Sequence, residues 1–283
     1  MADVSAVVVT YNGLPWLERA LESVRGIETV AVDHGSTDGT LDLVRDRFPD
    51  VTLVEQENRG LAAGWNRGLA GTSAPYVLFL NADAWLHEGS LRTLAAYLDA
   101  HPDVAWVSPR LRYPDGRLQR SVRGFPTLWR LATEFFFLRK LAPRSRALNA
   151  FYAGDFDHAS EREAEWIMGA CFLLRRAAIE QVGPADEDFF LFSEETDWCW
   201  RLRAAGWKVV FLPSTEATHV LGAAHGGRFF DEMISSQLRF LAKHRGEAYA
   251  ARARRLLRLS LRLRGLLFPG ERGRMYADAA RRL

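Results

Sequence analysis

Any chemistry this sequence performs must come from a few polar stretches that interrupt apolar runs. The first is Tyr76–Leu86, YVLFLNADAWL, where an apolar run breaks into Asn81-Ala82-Asp83 and then resumes. A buried strand reads this way when it delivers a polar side chain to the end of a parallel sheet. An aspartate there can hold a divalent cation, and the cation can hold a pyrophosphate. The plainer reading is a strand that ends in an Asx turn, and the tripeptide alone does not decide between them. The second stretch is Ser193-Glu194-Glu195-Thr196-Asp197, which reads as a helix start with Ser193 as N-cap. Helical spacing places Glu194, Asp197 and Arg201 on one face, and Glu195, Trp198 and Leu202 on another. Acids are common at helix N-termini, and Asp197–Arg201 is an ordinary i,i+4 pair. The third is His219, a lone histidine after a strand, which becomes a ligand only if a metal is near.

The elements that must position these groups alternate. Val4–Thr10 is an apolar, β-branched run and predicts a buried strand, ended by Tyr11-Asn12-Gly13. Pro15 with Leu17, Leu21 and Val24 predicts a helix. Thr29–Val32 predicts a second strand that runs into Asp33-His34-Gly35-Ser36-Thr37-Asp38. The next helix carries Leu41, Val44 and Phe48, with Ser36 or Asp38 to cap it, and Val51–Val54 is a third strand. The segment from Asn58 to Gly68 is rich in small residues. Gly60, Ala62, Ala63 and Gly64 would let backbone approach a ribose or phosphate, or would serve close helix–sheet packing. After Tyr76–Leu80 come a helix with Leu91, Leu94 and Leu98 and the strand Val104–Ser108. Strands alternating with helices in this way predict an α/β fold with a parallel sheet. No G-x-G-x-x-G follows the first strand, so the dinucleotide fingerprint is absent.

The second half is less regular. Leu128–Leu141 predicts a buried helix, the alternative being an apolar surface near an acceptor or a membrane; Trp166–Leu174 predicts one strand in which Gly169 permits close backbone approach, and Lys208–Leu212 a last strand after Gly206 ends the Glu194 helix. The formal net charge is +2, but residues 238–283 hold 13 Arg and Lys against 3 acids, a net +10, which leaves −8 on residues 1–237. A basic tail on an acidic body points to an anionic partner. Within it, Arg254, Arg258 and Arg262 line one helix face and Leu256, Leu259, Leu263 and Leu267 another, with Gly265 and Pro269 limiting its length. This pattern suits an anionic membrane surface; the alternative is that the leucines pack on the rest of the chain or on a second subunit in a homodimer. Cys171 and Cys199 lie in apolar contexts and read as free, buried thiols of a reducing compartment. The start of the chain does not read as a signal peptide, and no apolar run approaches membrane-spanning length.

Taken in order, VVVTYNG, VDHGSTDGT, ENRGLAAGWNRG and FLNADAWL closely resemble the donor half of glycosyltransferase family 2. WIMGACFLLRR, FFLFSEETDWCWRLRAAGW and ATHVLGAAHG resemble its acceptor half. No single motif is specific, but the ordered set, over about residues 4–227, is. Within the family the sequence looks most like bacterial rhamnosyltransferases of cell-wall or surface polysaccharide. The resemblance implies a GT-A fold over 1–227, a mostly parallel nucleotide-binding sheet flanked by helices, with a donor half (1–109) and an acceptor half (110–227). A basic helical extension follows over 228–283. It implies inverting transfer of a sugar, rhamnose from dTDP-rhamnose ahead of UDP-sugars, helped by Mg²⁺ or Mn²⁺. The acceptor would be a saccharide or lipid-linked saccharide, and the location cytoplasmic, at the inner face of the cell membrane. Nucleic acid is not an implied partner.

Matched motif by motif, Thr10, Tyr11, Asn12, Asp33, Asn58, Gly60, Ala63, Asn66, Asn81, Ala82 and Asp83 would line the donor, with Asp33 on the nucleobase. Asp83 would hold metal and pyrophosphate, and His219 would be a further metal ligand. Glu194-Glu195 stands at the family's acid pair, so Glu195 would be the base. Three residues depart from the pattern: His34 replaces the usual Asn, Asn81 the first Asp of D-x-D, and Glu195 the usual Asp. The last change keeps Asp197 as a competitor for the base. Two other readings stand beside the enzyme: a nucleotide-sugar-binding protein without turnover, and an interaction module built around the basic tail. The last leaves the ordered polar strand ends without a cause.

Overall fold

The structure is a computed structural model that describes residues 4–220 and 229–283. The end of the ATHVLGAAHG stretch and the 227/228 boundary lie outside the described residues. Two compact units form: residues up to 122 with those from 158 to 220, and Arg123–Asp157 with Phe229–Leu283.

The first unit opens with β1 (Val4–Thr10), α1 (Leu14–Glu22), β2 (Glu28–Asp33), α2 (Thr40–Arg47), β3 (Thr52–Glu55), α3 (Leu61–Leu69) and β4 (Tyr76–Asn81). It continues with β5 (Ala84–Leu86), α4 (Ser90–Ala100), β6 (Val104–Arg112) and β7 (Leu118–Gln119); β8 (Val122–Arg123) straddles the unit boundary. After α5 (Leu128–Phe135), which belongs to the second unit, come β9 (Arg162–Glu163), β10 (Trp166–Ile167), β11 (Cys171–Arg175), α6 (Arg176–Val182), α7 (Glu194–Ala204) and β12 (Lys208–His219). The main sheet has the order β3-β2-β1-β4-β11-β6-β12-β5. β1 through β4 are mutually parallel, as are β6 and β12, while β11 and β5 run antiparallel to their neighbours. The α/β reading, with a mostly parallel sheet flanked by helices and a helical C-terminal part, therefore holds. The chain steps outward from β1 to β3 and then crosses to the other side of β1 to make β4. This reversal makes the carboxyl ends of β1 and β4 a topological switch point, where sheets of this kind form the crevice that holds ligands.

Alternation along β4 explains the two layers of core. Tyr76, Leu78 and Leu80 face one apolar layer with Leu17 and Leu21 of α1 and Leu94 and Leu98 of α4. Phe79 faces the other, where Trp65 of α3, Phe172 of β11, Trp106 of β6 and Trp198 of α7 meet. Trp65 meets Phe172 edge to face at 5.4 Å and Trp106 stacks on Phe172 at 3.6 Å. Such pairs contribute about 0.5–1.5 kcal/mol each beyond area burial, and they seat α7 on the sheet.

The small residues of α3 serve packing. A Cβ at Gly64 would lie 2.7 Å from Val9 and from His34 Nε2, and one at Gly68 would lie 2.3 Å from Val7. The 166–174 run is two strands rather than one, broken at Met168–Ala170, where Met168 N–H donates to Ser121 and Asn81 N–H to Ala170. The last strand continues past Leu212 to His219, and its register shifts between Leu212 and Glu216. Pro213, which has no N–H to give a ladder, lies at that shift. Neither Ser36 nor Asp38 stands at the N-cap of α2, which is Gly39. Ser193 occupies the N-cap of α7, but in a left-handed conformation and with no side-chain cap. Both cysteines are free and buried, as expected.

The second unit consists of α5, α8 (Phe230–Arg245), α9 (Glu247–Leu267) and α10 (Gly270–Arg282). The expected helix over Leu128–Leu141 stops at Phe135; Phe137 takes a left-handed φ of 60°, and Leu138–Lys140 is a 3-10 turn. Ser260 Oγ and Arg264 Nε both donate to the Phe135 carbonyl, at 2.6 and 2.8 Å, and Arg264 Nη2 to that of Glu134 at 3.0 Å. The bonds to Phe135 satisfy a carbonyl that a helix end leaves without a partner, and Arg264 adds a second bond to the Glu134 carbonyl, which also accepts Phe137 N–H. α9 buries Ala250, Ala253, Leu257, Ser260, Leu261 and Arg264. The leucines of the sequence stripe do not share that face: Leu256 is half-buried, and Leu259 and Leu267 are exposed at 55% and 74%. No described helix is long and apolar enough to cross a membrane.

Candidate active site

The rim of the crevice is built by the loops after β1 and β2. Asn12 takes a left-handed φ of 50° and turns the chain back. Its N–H donates to Ser36 Oγ (2.8 Å) and its Oδ1 accepts from Thr37 N–H (2.8 Å). Gly13 N–H donates to Thr40 Oγ1 (3.1 Å) and Leu14 N–H to Asp38 Oδ2 (3.1 Å). Tyr11 stands 45% exposed beside this lacing, free to stack on a planar ligand.

Asp33, the expected nucleobase contact, is the last residue of β2. It is fully buried, its Oδ1 accepting from the N–H groups of Gly35 (2.9 Å) and Ser36 (2.8 Å) and its Oδ2 from Ser36 Oγ (2.5 Å). The carboxylate holds the turn. His34 joins the strand end to the glycine segment, with Nδ1 3.2 Å from Asn58 Oδ1 and Nε2 2.9 Å from Gln56 Nε2. Burial pushes its ring below the usual histidine range, although Asn58 opposes this. Asn58 Oδ1 also accepts Gly60 N–H at 3.1 Å. A Cβ at Gly60 would lie 2.3 Å from the Phe190 carbonyl oxygen, so this glycine serves contact with the loop before α7. Asn66 is likewise committed to that side, its amide bonded both ways to the Ala185 backbone (2.8 and 3.0 Å) and to Glu187 (3.0 Å). Ala63 is buried.

The strand end at Asn81–Asp83 meets the loop after β1 and the end of β12. A Cβ at Gly13 would sit 3.3 Å from Ala82 and 2.3 Å from Thr10 Oγ1, so only glycine lets these loops close. β5 pairs with the end of β12, with His219 opposite Ala84, and this brings His219 Nε2 to 3.4 Å from Asp83 Oδ1. Glu216, three residues earlier on β12, anchors that strand end through Arg112 (2.6 Å) and Arg110 (3.2 Å). The Arg112 guanidinium holds its carboxyl below the usual carboxylate range.

This donor set fits a divalent cation. Two ligands each about 2.1 Å from one ion lie roughly 3.0–3.5 Å apart when the angle between them is near right-angled to tetrahedral. Asn81 Oδ1 and Thr10 Oγ1, at the ends of the adjacent strands, are buried oxygens that lack a hydrogen-bond partner. Among the described residues no three His, Cys, Asp or Glu side chains cluster to hold a metal alone. One carboxylate supplemented by substrate phosphates is a pattern Mg²⁺ and Mn²⁺ accept, and an added imidazole favours the transition metal of the two.

The acid pair opens α7. Phe192 and Ser193 both take left-handed backbone, at φ 66° and 70°. For a residue as bulky as Phe192 this is strained, and such strain concentrates at functional sites. Glu194 is buried, Glu195 half-buried. A Cβ at Gly169 would lie 3.2 Å from the Glu195 Cβ and 3.1 Å from Trp65. Ala170, the next residue, accepts the Asn81 N–H at 3.0 Å. One short turn therefore links Glu195 to the strand that ends in Asn81–Asp83. Asp197 is fully buried and bound to Arg201 Nε at 2.7 Å, while Arg201 donates to the carbonyls of Val182, Gly183 and Pro184. That ion pair ties α7 to the loop after α6.

A mostly parallel sheet flanked by helices, with an acidic strand end and an acid-opened helix seated on the sheet, is the arrangement of GT-A glycosyltransferases. Residues 5–183 match the sequence profile of Glycosyl transferase family 2, and the chain belongs to that family. Rhamnosyltransferases are among its relatives. The chain is 34% identical, over 94% of its own length and 93% of the other's, to the N-acetylglucosaminyl-diphospho-decaprenol L-rhamnosyltransferase of Mycobacterium tuberculosis (strain ATCC 25618 / H37Rv). It is 27% identical to rhamnosyltransferase WbbL of Escherichia coli (strain K12), over 60% of this chain and 62% of that one. Mannosyltransferase PcManGT from Pyrobaculum calidifontis, solved with GDP-Man and Mn²⁺, shares the fold. Its TM-score is 0.60 at 19% identity, over 99% of this chain and 79% of that one.

Proposed function

We propose that this glycosyltransferase moves rhamnose from dTDP-rhamnose, with inversion, onto a lipid-linked saccharide. The observation that supports the reading is the Gly169–Ala170 turn, where Gly169 packs on the Glu195 side chain and Ala170 accepts the Asn81 N–H. Glu195 takes the proton of the acceptor hydroxyl. The freed oxygen attacks the anomeric carbon from the face opposite the nucleotide, and the bond from that carbon to the diphosphate oxygen breaks. A single displacement of this kind inverts the centre. Asp83 and His219 would hold the divalent cation, which neutralises charge on the departing diphosphate. Tyr11 and the 11–14 and 33–40 loops would receive the nucleoside. The lipid-linked acceptor follows from the relative whose name specifies a diphospho-decaprenol substrate. Thermal shift with a panel of nucleotide-sugars tests the donor: a ligand at 100 times its Kd adds about 2.7 kcal/mol. The largest rise in Tm is expected with dTDP-rhamnose plus Mn²⁺, and a larger rise with a UDP-sugar would reassign the donor.

We place the enzyme at an anionic membrane surface through α9. Leu259, Leu263, Leu266 and Leu267 are exposed at 55%, 41%, 85% and 74%, and Arg255 and Arg262 flank them at helical spacing and are also exposed. Each basic residue at such a surface contributes about 1 kcal/mol, and each buried leucine about 1.5–3 kcal/mol. α9 also packs the second unit, so point changes are preferable to truncation. Leu263→Gln/Leu267→Gln is expected to lower co-sedimentation with phosphatidylglycerol vesicles at least tenfold, and added salt to weaken it further. Equal recovery of both proteins in the supernatant would exclude the surface.

A further inference from the structure

Gln119 was not singled out by any spacing or motif, yet it is buried on β7 and clasps His219 at two points. Its Nε2 donates to the His219 backbone carbonyl at 3.3 Å, and its Oε1 lies 2.7 Å from His219 Nδ1. The carbonyl can only accept, so the amide nitrogen must face it and the amide oxygen must face the ring. An amide oxygen also only accepts, so Nδ1 must carry the hydrogen. In the uncharged ring Nε2 then presents a lone pair, and it presents it to Asp83 Oδ1, 3.4 Å away. Two acceptors facing each other across that gap cannot satisfy one another; a proton on Nε2 or a shared cation satisfies both. β7 is held in place by its antiparallel pairing with β6, with Gln119 opposite Leu111.

We propose that Gln119 is a positioning residue that fixes His219 in the Nδ1–H tautomer and so keeps Nε2 ready to ligate the cation shared with Asp83. The proposal rests on the metal role given to Asp83 and His219 above. Outer partners of metal-bound histidines typically contribute 10–100-fold in metal affinity. The first test needs no substitution. Imidazole ¹H–¹⁵N correlation spectra of the metal-free protein at pH 8 should show His219 with Nδ1 protonated and Nε2 bare. The second is Mn²⁺ affinity, followed by electron paramagnetic resonance in the presence of dTDP. Gln119→Leu should weaken Mn²⁺ binding 10–100-fold and mix the tautomers. Gln119→Glu, which keeps the acceptor for Nδ1–H but loses the donor to the His219 carbonyl, should lose less affinity than Gln119→Leu. In a His219→Ala background Gln119→Leu should cause no further loss. An Nε2–H tautomer in the wild-type protein, or an equal loss in the His219→Ala background, would overturn the proposal. Wild-type affinity no better than that of His219→Ala would overturn the metal assignment itself.

Discussion

Asp83→Ala is expected to remove nearly all sugar transfer while leaving the protein folded. Loss of a charged metal contact removes several kcal/mol of transition-state stabilisation, which corresponds to roughly 10³-fold in rate. The fold should survive because the Asp83 backbone carbonyl, which accepts the Val220 N–H at 3.0 Å, is unaffected by the substitution. The measurement is turnover at saturating Mn²⁺ beside a thermal melt. Turnover within tenfold of wild type would remove Asp83 from the site. Asn81 makes this position matter more: a neutral amide stands where the family carries a first aspartate, so Asp83 is the one carboxylate of that tripeptide.

The second large effect separates Glu195 from Asp197. Glu195→Gln keeps size and removes the proton acceptor. It should cut turnover by about 10²–10⁴-fold with donor affinity unchanged. Asp197→Asn should act on stability instead. It removes the charge that faces Arg201 from a fully buried site, and breaking such a pair typically costs about 3–5 kcal/mol. Transfer by the protein that remains folded should stay within about tenfold of wild type. Calorimetric donor titration, steady-state kinetics and denaturant melts on both variants give the ranking. A folded Asp197→Asn protein with 10³-fold lower turnover, beside an active Glu195→Gln, would move the base to Asp197.

The strand ends were legible because parallel strands buried on both faces read as continuous apolar runs, so the first polar residue marks the sheet edge. β1, β2 and β4 therefore stood out, and with them Thr10, Asp33 and Asn81. What those side chains do was less legible. Asp33 sits where a base contact was expected, but its oxygens are engaged by Gly35 and Ser36, bonds that depend on turn geometry rather than residue type. Gly60 and Gly64 were ambiguous between ligand and packing, and their roles turn on Phe190 and Val9, the former 130 residues away in sequence. Gln119 had no signal at all, since a glutamine on a two-residue strand has neither periodicity nor a motif. In α9 the leucines at spacings of three and four were visible, but which face packs was not. Leu257 and Leu261 are buried while Leu259 and Leu263 are exposed, because the buried stripe includes Ala253, Ser260 and Arg264, which do not read as apolar core.

The central claim is cation-assisted transfer by single displacement, and one measurement meets it directly. Single-turnover transfer from dTDP-rhamnose to a polyprenyl diphosphate-linked N-acetylglucosamine is run with Mn²⁺ and with excess chelator, and the anomeric configuration of the product is read by NMR. The account predicts transfer with Mn²⁺, near-complete loss with chelator, and a product anomer opposite to that of the donor. Retained configuration, or undiminished transfer in chelator, would contradict it.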